Sequence, residues 1–230
     1  MPSTPRQISL AELTNSIDHT LLKTQASEDD ILHLCEQAKQ YRFVTLCINP
    51  CYVALAHEAL GDSPIRVASV VGFPLGASHP LVKAAEAEQA LKDGAREIDM
   101  VMHVGALKSH RYETVEDDIR TIARICDHQG ALLKVIIETC VLTEDEKRIA
   151  CELCVTGGAQ MVKTSTGFGP SGATIEDVRL LHELVAPSGL GVKASGGIKT
   201  WDDAQAMLRA GAVRLGTSSG VPIVRQFHTT

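Results

Sequence analysis

This chain has no block of basic residues, no long uninterrupted apolar run, and no pair of histidines at metal-ligand spacing. Each absence removes a class of function. The net charge of −6 without a basic patch argues against nucleic acid or an anionic membrane as partner. The longest apolar run, "LLKVII", is interrupted by lysine, and the opening "MPSTPRQISLAELTNS" has no apolar signal core. Membrane spanning and secretion are therefore not expected, and the reading is cytoplasmic. The nine histidines form no H-x-x-x-H pair, and Cys151-x-x-Cys154 has no second pair to complete a zinc site, so no metal or cofactor is expected. Seven cysteines is an odd number. Cys35, Cys47, Cys126 and Cys140 lie in apolar segments and read as reduced core residues. A chain of 230 residues buries roughly 70% of its unfolded surface and needs no disulfide. No linker or shift of composition divides it, so residues 1–230 read as a single domain. The one tryptophan, Trp201, stands beside a helix cap and reads as a packing residue.

What is present is an alternation of two textures. Short β-branched runs fall at 16–22, 44–49, 66–72, 97–104, 132–138, 161–166, 191–197 and 213–219. Between them lie stretches such as "EDDILHLCEQAKQ" and "VEDDIRTIARICDH", whose apolar residues recur at three and four. Helix starts are marked by Ser9-x-x-Glu12, Ser27-x-x-Asp30, Thr143-x-x-Glu146, Thr174-x-x-Asp177 and Thr200-x-x-Asp203, and stops by Gly94, Gly130, Gly157 and Gly211. Eight strands, each followed by a helix, predict a (β/α)8 TIM barrel with a short N-terminal helix. A doubly wound open sheet is the alternative.

Barrel strands are expected to be apolar, yet these contain Asp18, Asp99, Lys134, Glu138, Lys163 and Lys193. Period-two alternation puts Lys163 with Ser165, Lys193 with Ser195, and Lys134 with Ile136 and Glu138. The outward faces must pack on helices, so the polar set is expected to point inward. Unpaired buried charge costs several kcal/mol, which makes a purely structural use of six such groups hard to sustain. A lysine near a second cation, shielded from water, favours the neutral amine, and a neutral amine adds to carbonyls to give a Schiff base. Lys163 and Lys193 occupy equivalent depths of the sixth and seventh strands. One is expected to be the nucleophile and the other to depress its pKa, with a carboxylate such as Asp99 relaying protons.

Glycine and hydroxyl residues gather at the ends of the last strands, in "STG" (165–167), "SGG" (195–197) and "GTSSG" (216–220). Backbone N–H groups of such loops are where phosphate-binding barrels hold an anion. The G-x-G-x-x-G spacing of Gly167, Gly169 and Gly172 also matches a dinucleotide fingerprint. It follows the sixth strand, however, and the next strand ends in the cationic "KASGG" instead of an acid, so a phosphate loop and a helix-entry turn explain it better.

Taken together, "IDHTLLK", "CINP", "VVGFPLGA", "EIDMV", "GALK", "LLKVIIET", "VKTSTGFG", "VKASGGI" and "GTSSGV" resemble, in order and over nearly the whole chain, the motifs of the deoxyribose-phosphate aldolase family. These are class I aldolases of the (β/α)8 fold. The resemblance implies that Lys163 forms the Schiff base, Lys193 lowers its pKa, and Asp99 moves protons. It implies phosphate contacts from Gly167, Gly196, Gly197, Gly216, Ser218 and Ser219, with Ser195 beside them and Asp18, Thr20, Cys47 and Lys134 as supporting polar residues. The implied reaction is reversible cleavage of 2-deoxy-D-ribose 5-phosphate to D-glyceraldehyde 3-phosphate and acetaldehyde, without cofactor, in a homodimer. Three positions depart from the family. His103 stands where asparagine is common, Phe168 where one branch has a phosphate-binding lysine (which gives Lys199 more to do), and "RQFHTT" ends the chain without tyrosine. Cys47 is a candidate site for aldehyde attack. A Schiff-base aldolase or transaldolase for another sugar phosphate, and a non-catalytic sugar-phosphate-binding barrel, are the competing readings.

Overall fold

The period-two runs become strands and the period-3.6 stretches become helices in a computed structural model that describes residues 7–227. The strands are β1 (Ile17–Leu21), β2 (Thr45–Ile48), β3 (Arg66–Val71), β4 (Glu97–Val101), β5 (Leu132–Ile136), β6 (Met161–Lys163), β7 (Gly191–Ser195) and β8 (Arg214–Thr217). The helices are α1 (Leu10–Thr14), α2 (Glu28–Tyr41), α3 (Val53–Leu60), α4 (Pro80–Lys92), α5 (Val104–Lys108), α6 (Tyr112–His128), α7 (Glu144–Thr156), α8 (Ile175–Val185), α9 (Trp201–Arg209) and α10 (Gly220–Phe227). All strands pair parallel in chain order, and β1 closes on β8 with Ile17 opposite Leu215. That closure is a (β/α)8 barrel and removes the open-sheet alternative. Residues 228–230, the end of the tyrosine-free tail, lie outside the described residues.

Most of the expected capping signals do what their chemistry suggests. The side chains of Ser9, Ser27, Thr143 and Thr200 each accept the backbone N–H three residues on, and the acid at that position reaches back. Thr174 accepts from Asp177 N, but Asp177 spends its carboxylate on Lys147 at 2.5 Å. Gly94, Gly130 and Gly211 follow helix ends with φ of 111°, 62° and 112°. Gly157 differs from expectation: it is still right-handed at φ −75°, and Gly158 takes the left-handed step at φ 87°. A Cβ at Gly157 would lie 2.6 Å from the Ile119 side chain, so close packing of α7 on α6 fills that position with glycine.

Several strands end earlier than the sequence runs suggest. β6 stops at Lys163, β5 at Ile136 and β4 at Val101, because the chain then turns into the loops of the C-terminal face. Glu138, at φ 56°, has left the sheet, so it does not continue the inward row of Lys134 as its spacing predicts. Outside the barrel, one apolar layer joins the strands' outer faces to the helices, including Ile98, Val135, Val162, Val192 and Leu215. Among the described residues no helix is long and apolar enough to cross a membrane. Trp201 packs edge-on against Phe227 at 4.9 Å. Cys35, Cys126, Cys151 and Cys154 are buried thiols, while Cys51 is exposed and Cys140 only half-buried, so the core reading holds for only part of the cysteine set.

The loop after β6 folds back across β7. A Cβ at Gly172 would stand 2.1 Å from the carbonyl oxygen of Gly196, a backbone atom that cannot give way. Gly172→Ala is therefore expected to lower stability by about 2 kcal/mol, measured by urea unfolding, because the clash is with backbone instead of a flexible side chain.

Candidate active site

Strand register brings the charged residues to one place. Lys163 pairs with Lys193 across β6 and β7, Asp99 with Lys134 across β4 and β5, and Lys193 with Arg214 across β7 and β8. Alternation then points all of these side chains into the barrel. Asp99 is the hub. Its Oδ2 accepts from Lys163 Nζ at 2.8 Å and Lys193 Nζ at 2.7 Å, and its Oδ1 accepts from Lys134 Nζ at 2.8 Å. The Cys47 thiol donates to Oδ2 at 3.7 Å. Lys193 also donates to Asp18 Oδ2. Gly216 makes room for this lysine, since a Cβ there would lie 3.1 Å from Lys193 Cε.

Below the hub lies a second tier that sequence reasoning missed. Glu97 is 2.5 Å from Lys134 and 2.8 Å from Arg214. Arg214 donates from Nε to Asp18 Oδ1 at 2.7 Å and from Nη2 to Thr45 Oγ1 at 2.6 Å. The signal was available: Glu97 shares the parity of Asp99 in "EIDMV", and Arg214 that of Gly216 in "RLGT". Glu138, counted with the inward set, is instead clamped to the β6 loop, where it accepts from Thr166 N at 3.3 Å and from Thr166 Oγ1. His103 caps α5, its Nδ1 accepting from Ala106 N at 3.2 Å.

These neighbours decide which protonation states are stable. Burial works against the ionised form of Asp99, but Lys134, Lys163 and Lys193 outweigh it and hold the carboxyl well below 3.8. Asp18 is likewise lowered, burial being outweighed by Lys193, Lys134 and Arg214. Lys193 is pushed up, since Asp18 and Asp99 overcome its desolvation, and Lys134 is raised by Asp99 and Glu97 against burial and against Lys193. Burial raises the Cys47 thiol, which is 0% exposed, so the aldehyde-sensitive thiolate considered from sequence is disfavoured.

Lys163 is the member of the cluster that reaches open space. A cavity of about 290 Å³ on the C-terminal face is lined by Lys163 together with Thr20, Gly167, Ser195, Gly196, Gly197, Gly216 and Ser218. Gly167, Gly196 and Gly197 take φ near 85°, 83° and 83°, the left-handed conformation that favours glycine. A Cβ at Gly167 or Gly197 would meet nothing within 4 Å, so backbone is bare to the cavity there. Ser195 ties the neighbouring strand ends together, its Oγ donating to Ser165 O at 2.6 Å and its N–H to Thr164 Oγ1 at 3.1 Å. Thr20 donates to Asp18 O at 2.8 Å. Ser219 does not line the cavity, and its N–H donates to Thr217 Oγ1 at 2.9 Å. Lys199 and Lys23, the latter unanticipated, bring two ammonium groups to the rim. The arrangement places the Lys163 amine at the floor of a glycine-lined cavity with the Asp99 carboxylate beneath it, a geometry suited to a phosphorylated carbonyl compound.

The comparisons agree with this geometry. A family model described as DeoC/LacD family aldolase matches residues 13–229. A deoxyribose-phosphate aldolase of Thermococcus gammatolerans is 54% identical over 215 residues, covering 93% of this chain and 95% of that one. One of Halalkalibacterium halodurans is 53% identical, with 92% and 94% covered. Among solved structures, the tetrameric deoxyribose phosphate aldolase of Aeropyrum pernix superposes with a TM-score of 0.89 at 36% identity, over 96% of this chain and 93% of that one.

The pH dependence of stability follows from the shifts. Asp18 and Asp99 contribute stability above 3.8 that is lost as pH falls through their lower folded values. Lys134 and Lys193 contribute below 10.5, and lose that contribution as pH rises through their higher folded values. Thermal melting is therefore expected to show no titration of Asp18, Asp99, Lys134 or Lys193 near neutrality. A steep loss is expected on the acid side of 3.8, and a step in melting temperature between pH 6 and 8 that traced to these groups would contradict the assignment.

Proposed function

The chain belongs to the DeoC/LacD aldolase family, and from that premise we propose that it is a class I aldolase that reversibly cleaves 2-deoxy-D-ribose 5-phosphate to D-glyceraldehyde 3-phosphate and acetaldehyde. The observation that carries this reading is the placement of Lys163. Of the lysines bound to Asp99, it alone lines the cavity, while Lys134 and Lys193 are 0% exposed behind it.

Each step has a group in place. The free amine of Lys163 adds to C1 of the open-chain sugar, and loss of water gives an iminium. The iminium is the electron sink. Removal of the C3 hydroxyl proton breaks the C2–C3 bond, its electron pair forms the enamine, and glyceraldehyde 3-phosphate leaves. Protonation of the enamine at C2 and attack of water return acetaldehyde and the amine. Asp99, within 2.8 Å of Lys163, is assigned the proton transfers at the carbinolamine and the substrate hydroxyl, and Lys193 shares that carboxylate oxygen. The bare amides around Gly167, Gly196 and Gly197, with Ser218, are assigned to the phosphate. Lys199 at the rim supplies the cation that Phe168 does not. Residues 1–230 are read as one barrel domain, acting in the cytoplasm as a homodimer.

Trapping with acetaldehyde and borohydride, followed by peptide mass mapping, is expected to find the adduct on Lys163. An adduct on another lysine, or none, would sink the reading. Asp99→Asn is expected to lower kcat by about 10²- to 10⁴-fold. Lys199→Gln is expected to raise KM for 2-deoxyribose 5-phosphate while leaving unphosphorylated 2-deoxyribose unaffected. An equal effect on both sugars would remove Lys199 from phosphate recognition.

A further inference from the structure

Arg214 and Glu97 touch neither the cavity nor any atom of the reaction as drawn, yet both are buried, and they connect to the groups that do the chemistry through Asp18 and Lys134. The charges enclosed by the barrel can be counted from the contacts. Lys134, Lys163, Lys193 and Arg214 are cations, and Asp18, Glu97 and Asp99 are carboxylates, so four positive groups share three negative ones.

Every strand contributes to the environment of this set. Besides those seven groups, β2 presents Thr45 and Cys47, both neutral, the thiol being held protonated by burial. From β3, Arg66 reaches Glu97 at 3.5 Å, but 54% of its side chain is in water, which screens its charge. Glu138 is turned away onto Thr166, and Lys23 and Lys199 are exposed at the opposite, open end.

A surplus cation enclosed in protein is unfavourable, and loss of one proton removes it. Arginine does not release a proton in this range, so the loss falls on a lysine. The partners single out which one. Lys134 has Glu97, Asp99 and Asp18 at 2.5, 2.8 and 3.7 Å, and Lys193 has Asp18 and Asp99. Lys163 has Asp99 alone and divides it with the other two.

We infer that Arg214 is a charge-setting positioning residue: a permanent cation on the barrel floor that, by occupying Asp18 and Glu97, leaves the carboxylates one short and so keeps Lys163 a free base. Glu97 has the opposite effect. This rests on the Schiff-base role given to Lys163 above, and it differs from an ordinary structural ion pair in predicting shifts of opposite sign for the two partners.

The test is the pH dependence of acetaldehyde adduct formation on Lys163, read by borohydride trapping and mass mapping alongside kcat/KM. Arg214→Met leaves three lysines facing three carboxylates, so the acid limb of the profile is expected to move up by about one pH unit. Glu97→Gln leaves four cations facing two carboxylates, so the limb is expected to move down. Arg214→Lys, which returns a cation that can itself titrate, is expected to fall between wild type and Arg214→Met. The double variant Arg214→Met/Glu97→Gln restores a surplus of one and is expected to return the limb toward wild type. It also leaves no orphaned partner from the Arg214–Glu97 pair, so it serves if Arg214→Met alone does not fold: its limb must then lie above that of Glu97→Gln. Limbs that move in the same direction in both single variants, or a double variant that coincides with Glu97→Gln, would overturn the inference while leaving the Schiff-base reading intact. Absence of any Lys163 adduct in the unaltered protein would instead overturn that reading.

Discussion

A single carboxylate, that of Asp99, gathers the Nζ atoms of three lysines within 2.8 Å at the centre of the barrel, and the surrounding structure is arranged to make that possible. Enclosing so much charge costs several kcal/mol per ion before compensation. The cost is offset only because every charged group meets an opposite one, and that requires fixed strand register. Lys163 and Lys193 must stand level on adjacent strands, and Asp99 must stand level with Lys134. Small residues complete the geometry. Gly216 yields its side-chain volume to Lys193, and Gly172 yields its own to the Gly196 backbone. Remove Asp99 and Lys134, Lys163 and Lys193 lose the one acceptor that all three share.

Work is divided along the barrel axis. The floor, with Glu97, Arg214 and Thr45, is sealed and permanently charged. The middle tier, with Asp18, Asp99, Lys134 and Lys193, is where protonation is held firm by mutual attraction. The top tier has one amine and the glycine-rich strand ends. The cavity is lined from this last layer, with Asp99 directly beneath Lys163, while Lys134, Glu97 and Arg214 do not reach it. Exposed Phe168, edge-on at 5.3 Å to the half-buried Phe73, marks the rim where a family branch has a cation.

Much of this was legible in the sequence because alternation and charge conflict there. A lysine in "MVKTST" or "VKASGG" can be tolerated only if it points inward to a partner, and the parity of the run says where it points. The caps at Ser9, Ser27, Thr143 and Thr200 were equally readable, since they are local chemistry. Strand ends were not, because a backbone turn such as that at Glu138 depends on what the loop meets across the barrel mouth. Glu97 and Arg214 were within reach of the same parity argument, but as the first residues of their strands they look like solvent-facing strand starts. Only ring closure shows that strand starts on one barrel face each other across its floor. Lys23 lies in a loop where no period applies, so nothing in the sequence pointed to the cavity.

The ties across the β1–β8 seam have a temporal side. Asp18 meets Lys193 and Arg214 across sequence separations of 175 and 196 residues, nearly the length of the chain. During synthesis, Asp18 emerges first and its counter-ions Lys193 and Arg214 last. Until β7 and β8 are in place, Asp18, Glu97 and Lys134 have incomplete partners and favour hydration over burial, which holds the half-made ring open to water. Contacts of such long separation are slow to form. Docking of the final two strands then brings Lys193 and Arg214 to Asp18 and closes the ring, so that a truncated or nicked chain lacking the last strand leaves Asp18 and Glu97 without the cation that bridges them.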